Sequence, residues 1–173
     1  MCSPILDQAK AVFEIGFEKV AINTYAAENP ELIGEIAAHY GSQAVIASID
    51  VKRSLFGGQT VRTLAGRRNT RRDPVAWAVE VEKMGAGEIL LTSIDCEGTW
   101  EGFDLELIKR VTDAVSLPVI AHGGAGSLKD IGKVVNVAKV SAVALGSMVV
   151  FQKKGMGVLV NFPDNKLLAG VLE

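Results

Sequence analysis

The stretch that decides the fold is Thr92-Ser93-Ile94-Asp95, which closes the apolar run 88–95. An earlier run, 44–50, ends in the same way as Ala47-Ser48-Ile49-Asp50. The interval between the two is long enough for one strand, one helix and a short insertion. Residues 56–65 are predicted to form that insertion as a hairpin that turns at Gly57-Gly58. Repetition of such a unit favours a closed barrel of equivalent units over a Rossmann-type sheet.

The same alternation of apolar runs and amphipathic stretches extends along the chain. Near-continuous apolar runs are typical of parallel strands that are buried on both faces. Asn29 is a plausible N-cap for one helix, with Pro30 at its first position. The predicted strands are 19–24, 44–50, 88–95, 118–124 and 142–150, and the predicted helices are 7–15, 30–39, 73–84, 105–115 and 127–137.

The length of the chain bounds the architecture. A complete (β/α)₈ barrel takes about 250 residues, whereas this sequence has 173 and opens on a helix. We therefore expect one α/β domain over 1–173, comprising strands 4 to 8 of a TIM (β/α)₈ barrel with their helices and lacking the first three βα units. Five strands cannot close such a barrel, so a parallel edge is expected to be left unpaired.

The composition excludes several classes of function. With a net charge of −2, 49% apolar and 22% charged residues, neither nucleic acid nor an anionic membrane is an expected partner. Apolar runs such as 142–151 are too short to span a bilayer. Cys2 and Cys96 have no metal-ligand spacing, so no metal site, no disulfide framework and a cytoplasmic location are expected. The basic stretch 67–72 suits a solvated loop better than an anion site.

In a (β/α)₈ barrel the reactive groups lie at the C-terminal ends of the strands. Two such ends are rich in glycine: 121–127, with Gly123 and Gly124, and Gly146-Ser147. Glycine lets the backbone approach a phosphate closely, and free N–H groups at a helix start attract its charge. A barrel phosphate site commonly uses the loops after strands seven and eight. The two segments therefore predict a phosphate site.

Charged residues stand at both ends of the predicted strands. Asp50 and Asp95 are expected at the same level of neighbouring strands, either as acid–base groups or as helix caps and loop anchors. His122 could donate to a phosphate or titrate, or it could be structural. Lys19 and Glu88 begin strands, so a surface ion pair at the opposite face is the simpler reading.

The chain resembles the HisF family, the cyclase subunits of imidazole glycerol phosphate synthase. The resemblance rests on Phe17-Glu18-Lys19-Val20-Ala21-Ile22-Asn23-Thr24, on Gly41-Ser42-Gln43-Ala44-Val45, on 85–95 and on 118–126, in order and at family spacing. It implies that ammonia from a glutaminase subunit, HisH-like and bound as a heterodimer, attacks a bis-phosphorylated nucleotide without a cofactor. The products would be imidazole glycerol phosphate and aminoimidazole ribotide in histidine biosynthesis.

Site residues follow from the resemblance alone. Asp50 matches one of two catalytic aspartates, and the other belongs to a first strand that this sequence does not contain. Lys19 and Glu88 match charged residues that gate ammonia at the bottom of the barrel. The positions that match substrate and phosphate sites are Asn23, Thr24, Thr92, Glu97, Gly98, Gly124, Gly146 and Ser147, with Gly123 beside them and Glu97 in place of the more usual Asp.

Some segments depart from the histidine-pathway pattern. His122 replaces the usual Ser, and the tail, 146–155 and 158–163, is similar to WbuZ-like proteins that serve sugar amidation in lipopolysaccharide synthesis. Three alternatives stay open: the histidine-pathway cyclase, a WbuZ-like amidation protein of surface-polysaccharide synthesis, and an inactive truncated fragment.

Overall fold

A computed structural model describes residues 4–54, 58–151, 155 and 157–172. Its centre is a sheet in which five strands run parallel in the order β1, β2, β5, β6, β7. They are β1 (Val20–Ile22), β2 (Val45–Arg53), β5 (Glu88–Ser93), β6 (Val119–His122) and β7 (Ala142–Ala144). An antiparallel hairpin, β3 (Gln59–Thr63) and β4 (Arg68–Asn69), extends from β2.

Helices alternate with the parallel strands. The described residues form α1 (Pro4–Glu14), α2 (Thr24–Glu28), α3 (Glu31–Tyr40), α4 (Pro74–Lys83), α5 (Leu105–Thr112), α6 (Leu128–Ala138), α7 (Ser147–Val150) and α8 (Asn165–Leu172). This order confirms the predicted α/β class and the partial (β/α)₈ barrel, which is present as an open sheet. In the described part of the chain, no helix combines the length and apolarity that a bilayer crossing requires.

Three helix starts, those of α4, α5 and α6, follow from local sequence. Asp73 caps α4 by accepting hydrogen bonds from the N–H groups of Val75 and Ala76, with Pro74 at the first turn. Asp104 and Ser127 cap α5 and α6 in the same manner. The prediction of Asn29 as the cap of α3 is wrong. Pro30 takes that position without a side-chain bond, because Asn29 ends the short helix α2.

One face of the sheet forms the core. In β2, Val45, Ala47, Ile49 and Val51 are at most 1% exposed and belong to one apolar cluster with helix residues such as Leu32. The alternate residues are half-buried. The expectation of strands buried on both faces is therefore not met. A layer of helices covers one face, so polar side chains on the other face keep access to solvent.

Two predicted strands end earlier than expected. The predicted strand 142–150 stops at Ala144, and Ser147–Val150 is a helical turn that follows Gly146. The predicted strand 88–95 stops at Ser93, and Cys96 and Glu97 donate their N–H groups to the Ser93 carbonyl in a turn. In both places the chain leaves the sheet at a turn, after Gly146 in the first and over 94–97 in the second.

The hairpin after β2 confirms the predicted excursion, although Phe56 and Gly57 lie outside the described residues. The basic stretch was expected to be a solvated loop, and Arg67, Arg68 and Arg71 are exposed, but two of its arginines make contacts. Arg68 lies in β4 and forms an ion pair with Glu28 at 2.6 Å. Arg72 stacks 4.2 Å above the ring of Trp77, which is buried in the core.

Candidate active site

Three polar side chains form a row across the half-buried face of the sheet. The register pairs Asp50 of β2 with Thr92 of β5, and Thr92 with His122 of β6. The next residue in the row is Ala144 of β7. Because register partners on parallel strands point to the same face, these side chains are neighbours near the C-terminal ends of the strands. His122 therefore belongs to the row that contains Asp50.

Asp50 is the carboxylate of this row of side chains. Burial raises its pKa above the ordinary value, while hydrogen bonding from Asn23, the charge of His122 and hydrogen bonding from Thr92 act in the opposite direction. A half-buried carboxyl whose anion is favoured by neighbouring groups can serve as a proton donor or acceptor. This is the environment that an acid–base group requires.

Asn23 and Thr24 follow β1, at one end of the row. The Asn23 amide donates to the Ser48 carbonyl at 3.1 Å, and the Thr24 hydroxyl accepts the N–H of Leu64 at 3.1 Å. These bonds tie the end of β1 to β2 and to the hairpin. Sequence reasoning did not foresee the contact with the hairpin, since only the paired sheet brings Leu64 to Thr24.

At the other end of the row, a small cavity of about 10 Å³ lies between the loops that follow β5, β6 and β7. We call it the glycine cradle. It brings together six of the predicted site residues, and its lining is Glu97, Gly98, Gly123, Gly124, Ala125, Ala144, Gly146 and Ser147.

Gly123 and Gly124 have a structural reason to be glycine. Both have positive φ, +97° and +110°. A Cβ on Gly123 would lie 2.6 Å from the Ser93 carbonyl oxygen, and one on Gly124 would lie 2.1 Å from that of Gly102. The loop after β6 therefore packs directly on the loop after β5. Glycine at these positions builds the cradle whether or not an anion occupies it.

Two ionisable side chains meet at the wall of the cradle. His122 Nε2 lies 3.4 Å from Glu97 Oε2, and the position that a Cβ of Gly146 would take is 3.2 Å from Glu97 Oε1 and 3.8 Å from His122 Nε2. The other ring nitrogen, Nδ1, is 3.2 Å from the Thr92 hydroxyl. His122 thus joins the Asp50 row to the cradle.

Asp95 is not at the level of Asp50. The register places Thr92 opposite Asp50, and Asp95 follows in the exposed turn after β5. There its Oδ2 accepts the N–H of Arg53 at 2.7 Å. The prediction of paired strand-end aspartates is wrong, because β2 continues to Arg53 against β3 whereas β5 ends at Ser93. Asp95 has the alternative role, that of a loop anchor.

Lys19 and Glu88 lie at the opposite end of the strands and form an ion pair across the start of β2. The Lys19 side chain is 41% exposed and that of Glu88 is 22% exposed. The structure therefore contains the ion pair that the simpler reading of the sequence expected. It is separated from the Asp50 row by the length of the strands.

Comparison with known proteins gives one matching family model, described as histidine biosynthesis protein, over residues 5–154. The chain is 45% identical over 166 residues to the putative imidazole glycerol phosphate synthase subunit hisF2 of Pseudomonas aeruginosa, covering 95% of this chain and 66% of that protein. It is 54% identical over 125 residues to the subunit HisF of Legionella pneumophila, covering 72% of this chain and 59% of that protein.

A third relative is the subunit HisF of Acidobacterium capsulatum, 47% identical over 142 residues that cover 82% of this chain and 56% of that protein. The chain therefore spans between about half and two thirds of the length of the curated relatives that it matches.

Proposed function

Because this chain belongs to the histidine biosynthesis protein family, in its HisF group, we propose that it carries the cyclase chemistry of imidazole glycerol phosphate synthase. In that reaction ammonia attacks a bis-phosphorylated nucleotide, giving imidazole glycerol phosphate and aminoimidazole ribotide. The observation that carries the proposal is the position of Asp50, between Asn23 and Thr24 on one side and the glycine cradle on the other.

Asp50 serves as a general acid or base. Its carboxylate is half-buried, and the neighbouring Asn23, Thr92 and His122 favour its charged form. Because these influences oppose each other, the Asp50 carboxyl can both gain and lose a proton. The reaction requires such transfers, to the leaving group and from the attacking ammonia. Thr92 orients the carboxylate through its hydroxyl.

The two ends of the row serve the two phosphates. Asn23 and Thr24 lie at the end of β1, and the glycine cradle lies at the ends of β5 to β7. Between β1 and β7 there are four interstrand spacings of about 4.8 Å each. A substrate with a phosphate at each end matches that separation, with its reacting centre near Asp50. Gly98, Gly123, Gly124, Gly146 and Ser147 contact the second phosphate.

Ammonia enters at the N-terminal ends of the strands, opposite the end that carries the Asp50 row. Lys19 and Glu88 form the ion pair at the N-terminal ends of β1 and β5, and this pair gates the passage. A glutaminase subunit binds at that end of the strands and supplies ammonia. The names of the relatives support this assignment, since they describe subunits of imidazole glycerol phosphate synthase.

The experiment is turnover of the bis-phosphorylated nucleotide with ammonium ions, measured for this chain and for any longer gene product that contains it. We expect both products in equal amounts, and we expect the glutaminase subunit with glutamine to replace ammonium. A well-folded longer product that converts no nucleotide would contradict the proposal.

A second candidate is sugar amidation in surface-polysaccharide synthesis. The tail segments 146–155 and 158–163 are similar in sequence to WbuZ-like proteins, which serve sugar amidation in lipopolysaccharide synthesis. This tail and His122 are the segments that depart from the histidine-pathway pattern. Ammonia-dependent amination of a nucleotide sugar, with no turnover of the histidine-pathway nucleotide, would favour this candidate.

A further inference from the structure

His122 lies between two acidic side chains on different elements. Asp50 faces it from β2, and Glu97 faces it from the loop after β5, 3.4 Å from Nε2. Its other neighbours in the row are uncharged, Thr92 on β5 and Ala144 on β7. A positive charge on the His122 ring would therefore interact both with the Asp50 carboxylate and with a group bound in the glycine cradle.

The hydrogen bonds indicate which nitrogen of the neutral His122 ring carries the proton. The Thr92 hydroxyl has one proton and faces both the Asp50 carboxylate and His122 Nδ1. A carboxylate can only accept, so the hydroxyl donates to Asp50 and its lone pair accepts from Nδ1–H. Nδ1 therefore holds a proton in both charge states. Nε2, which faces Glu97 and the cradle, is then the nitrogen with a free lone pair that can accept a proton.

We propose that a tetrahedral dianion in the glycine cradle is held by His122, which takes up one proton from solvent at Nε2 as the dianion binds. This inference rests on the proposed phosphate cradle, not on turnover. In this step a neutral imidazole, the dianion and one proton from solvent give an imidazolium bound to the dianion. No bond other than N–H forms.

Glu97 makes the proton necessary. Its carboxylate lies at the cradle wall beside Gly146, so a dianion entering beside it meets a like charge unless a cation stands between them. Protonated His122 is positioned to be that cation. The same charge acts on Asp50, where His122 favours the ionised carboxylate. Occupancy of the cradle therefore prepares Asp50 to act as a base.

The direct test uses sulfate, which stays a dianion throughout the pH range and adds no proton of its own. The chain has two histidines, and His39, at the end of α3 with Nδ1 2.8 Å from the Glu35 carbonyl oxygen, serves as an internal reference. In ring-proton NMR titrations we expect sulfate to raise the titration midpoint of His122 and to leave that of His39 unchanged. Equal behaviour of the two rings would overturn the proposal.

Calorimetry provides the second measurement. In buffers of different ionisation enthalpy, sulfate binding at pH 8 should take up about one proton, and the Kd should rise about tenfold per pH unit above the His122 midpoint. His122→Gln should weaken binding at pH 6 and abolish the proton uptake. Glu97→Gln should tighten binding at that pH.

Proton uptake that persists in His122→Gln, or a wild-type chain that binds no sulfate at either pH, would contradict the inference. Failure of the cyclase proposal looks different. A chain that binds sulfate with proton uptake but converts no nucleotide would refute the proposed cyclase function and support the proposed role of His122 in the cradle.

Discussion

The tripeptide Ser-Ile-Asp occurs at the ends of two neighbouring strands, and the two copies have different structures. Asp50 lies within β2, half-buried beside Thr92, with its pKa raised by burial. Asp95 lies in the exposed turn after β5 and holds the N–H of Arg53 at 2.7 Å. Identical local sequence thus places one aspartate in the candidate active site and the other in a loop anchor.

The difference comes from the partners of each strand. The antiparallel strand β3 pairs with β2 from Asp50 to Arg53 and keeps it extended. The chain after β5 packs on the glycines that follow β6, where Gly102 donates its N–H to the Gly124 carbonyl at 2.8 Å. It must turn at once to reach them. Strand length is therefore set by neighbours distant in sequence.

The largest expected effect tests the two aspartates against each other. Asp50→Asn should lower ammonia-dependent turnover by about 100-fold or more, because a positioned acid–base group contributes that much. Asp95→Asn keeps the side-chain oxygen that accepts from Arg53, so turnover should stay within about threefold of wild type. The measurement is the steady-state rate of each variant and of the wild type with saturating ammonium. Similar losses in both variants would remove the distinction between the aspartates.

The second effect concerns the glycines against which the β5 loop packs. Gly124→Ala should lower the free energy of unfolding by about 2–4 kcal/mol, because the new Cβ meets the Gly102 carbonyl and φ is positive. Gly98→Ala is the matched control, with positive φ but its nearest atom at 3.8 Å; it should cost about 1 kcal/mol. Urea denaturation measures both, and equal costs would show that contact with Gly102 is unimportant.

A smaller effect is expected at the loop anchor. Asp95→Ala removes the acceptor of the Arg53 N–H and should cost about 1 kcal/mol of unfolding free energy. Asp113→Ala, which breaks an exposed ion pair with Lys109, should cost less than about 0.5 kcal/mol. Thermal denaturation of both variants beside the wild type provides the comparison. An unchanged Tm in Asp95→Ala would mean that β3 alone holds the end of β2.

The smallest effect is the pH dependence of stability at Asp50. Because burial raises its pKa in the folded chain, the folded state binds this proton more tightly than the unfolded state. The stabilisation is complete below the ordinary pKa of 3.8 and is lost as pH rises through the folded value. Asp50→Asn cannot ionise, so its stability relative to wild type should increase from pH 3 to pH 7.

Glu82 provides a control of opposite sign for that experiment. Hydrogen bonds from Ser116 lower its pKa, so its contribution is present above the ordinary value and is lost as pH falls through the folded value. Glu82→Gln should therefore lose stability relative to wild type as pH rises over the same interval. Parallel trends in the two variants would show that global charge, not the local surroundings, governs the effect.

The sequence by itself determined the α/β class, the order of the parallel strands and the helices between them, and the glycines of the cradle. These features depend on local rules of periodicity, capping and backbone freedom, which act within a few residues. The resemblance in sequence also indicated the family. Only that resemblance distinguished Asp50 from Asp95, because both carboxylates close an apolar run, where a charge is costly unless it is solvated or paired.

Only the tertiary structure decided where each strand ends and which side chains share a row. Register between strands far apart in sequence offsets the two Ser-Ile-Asp copies by three residues. It also places His122 between Asp50 and Glu97. The helical turn at Ser147 likewise depends on the surrounding fold. A shift of one residue moves every side chain of a strand to the other face. Register is fixed by packing of the whole sheet, and no local pattern specifies it.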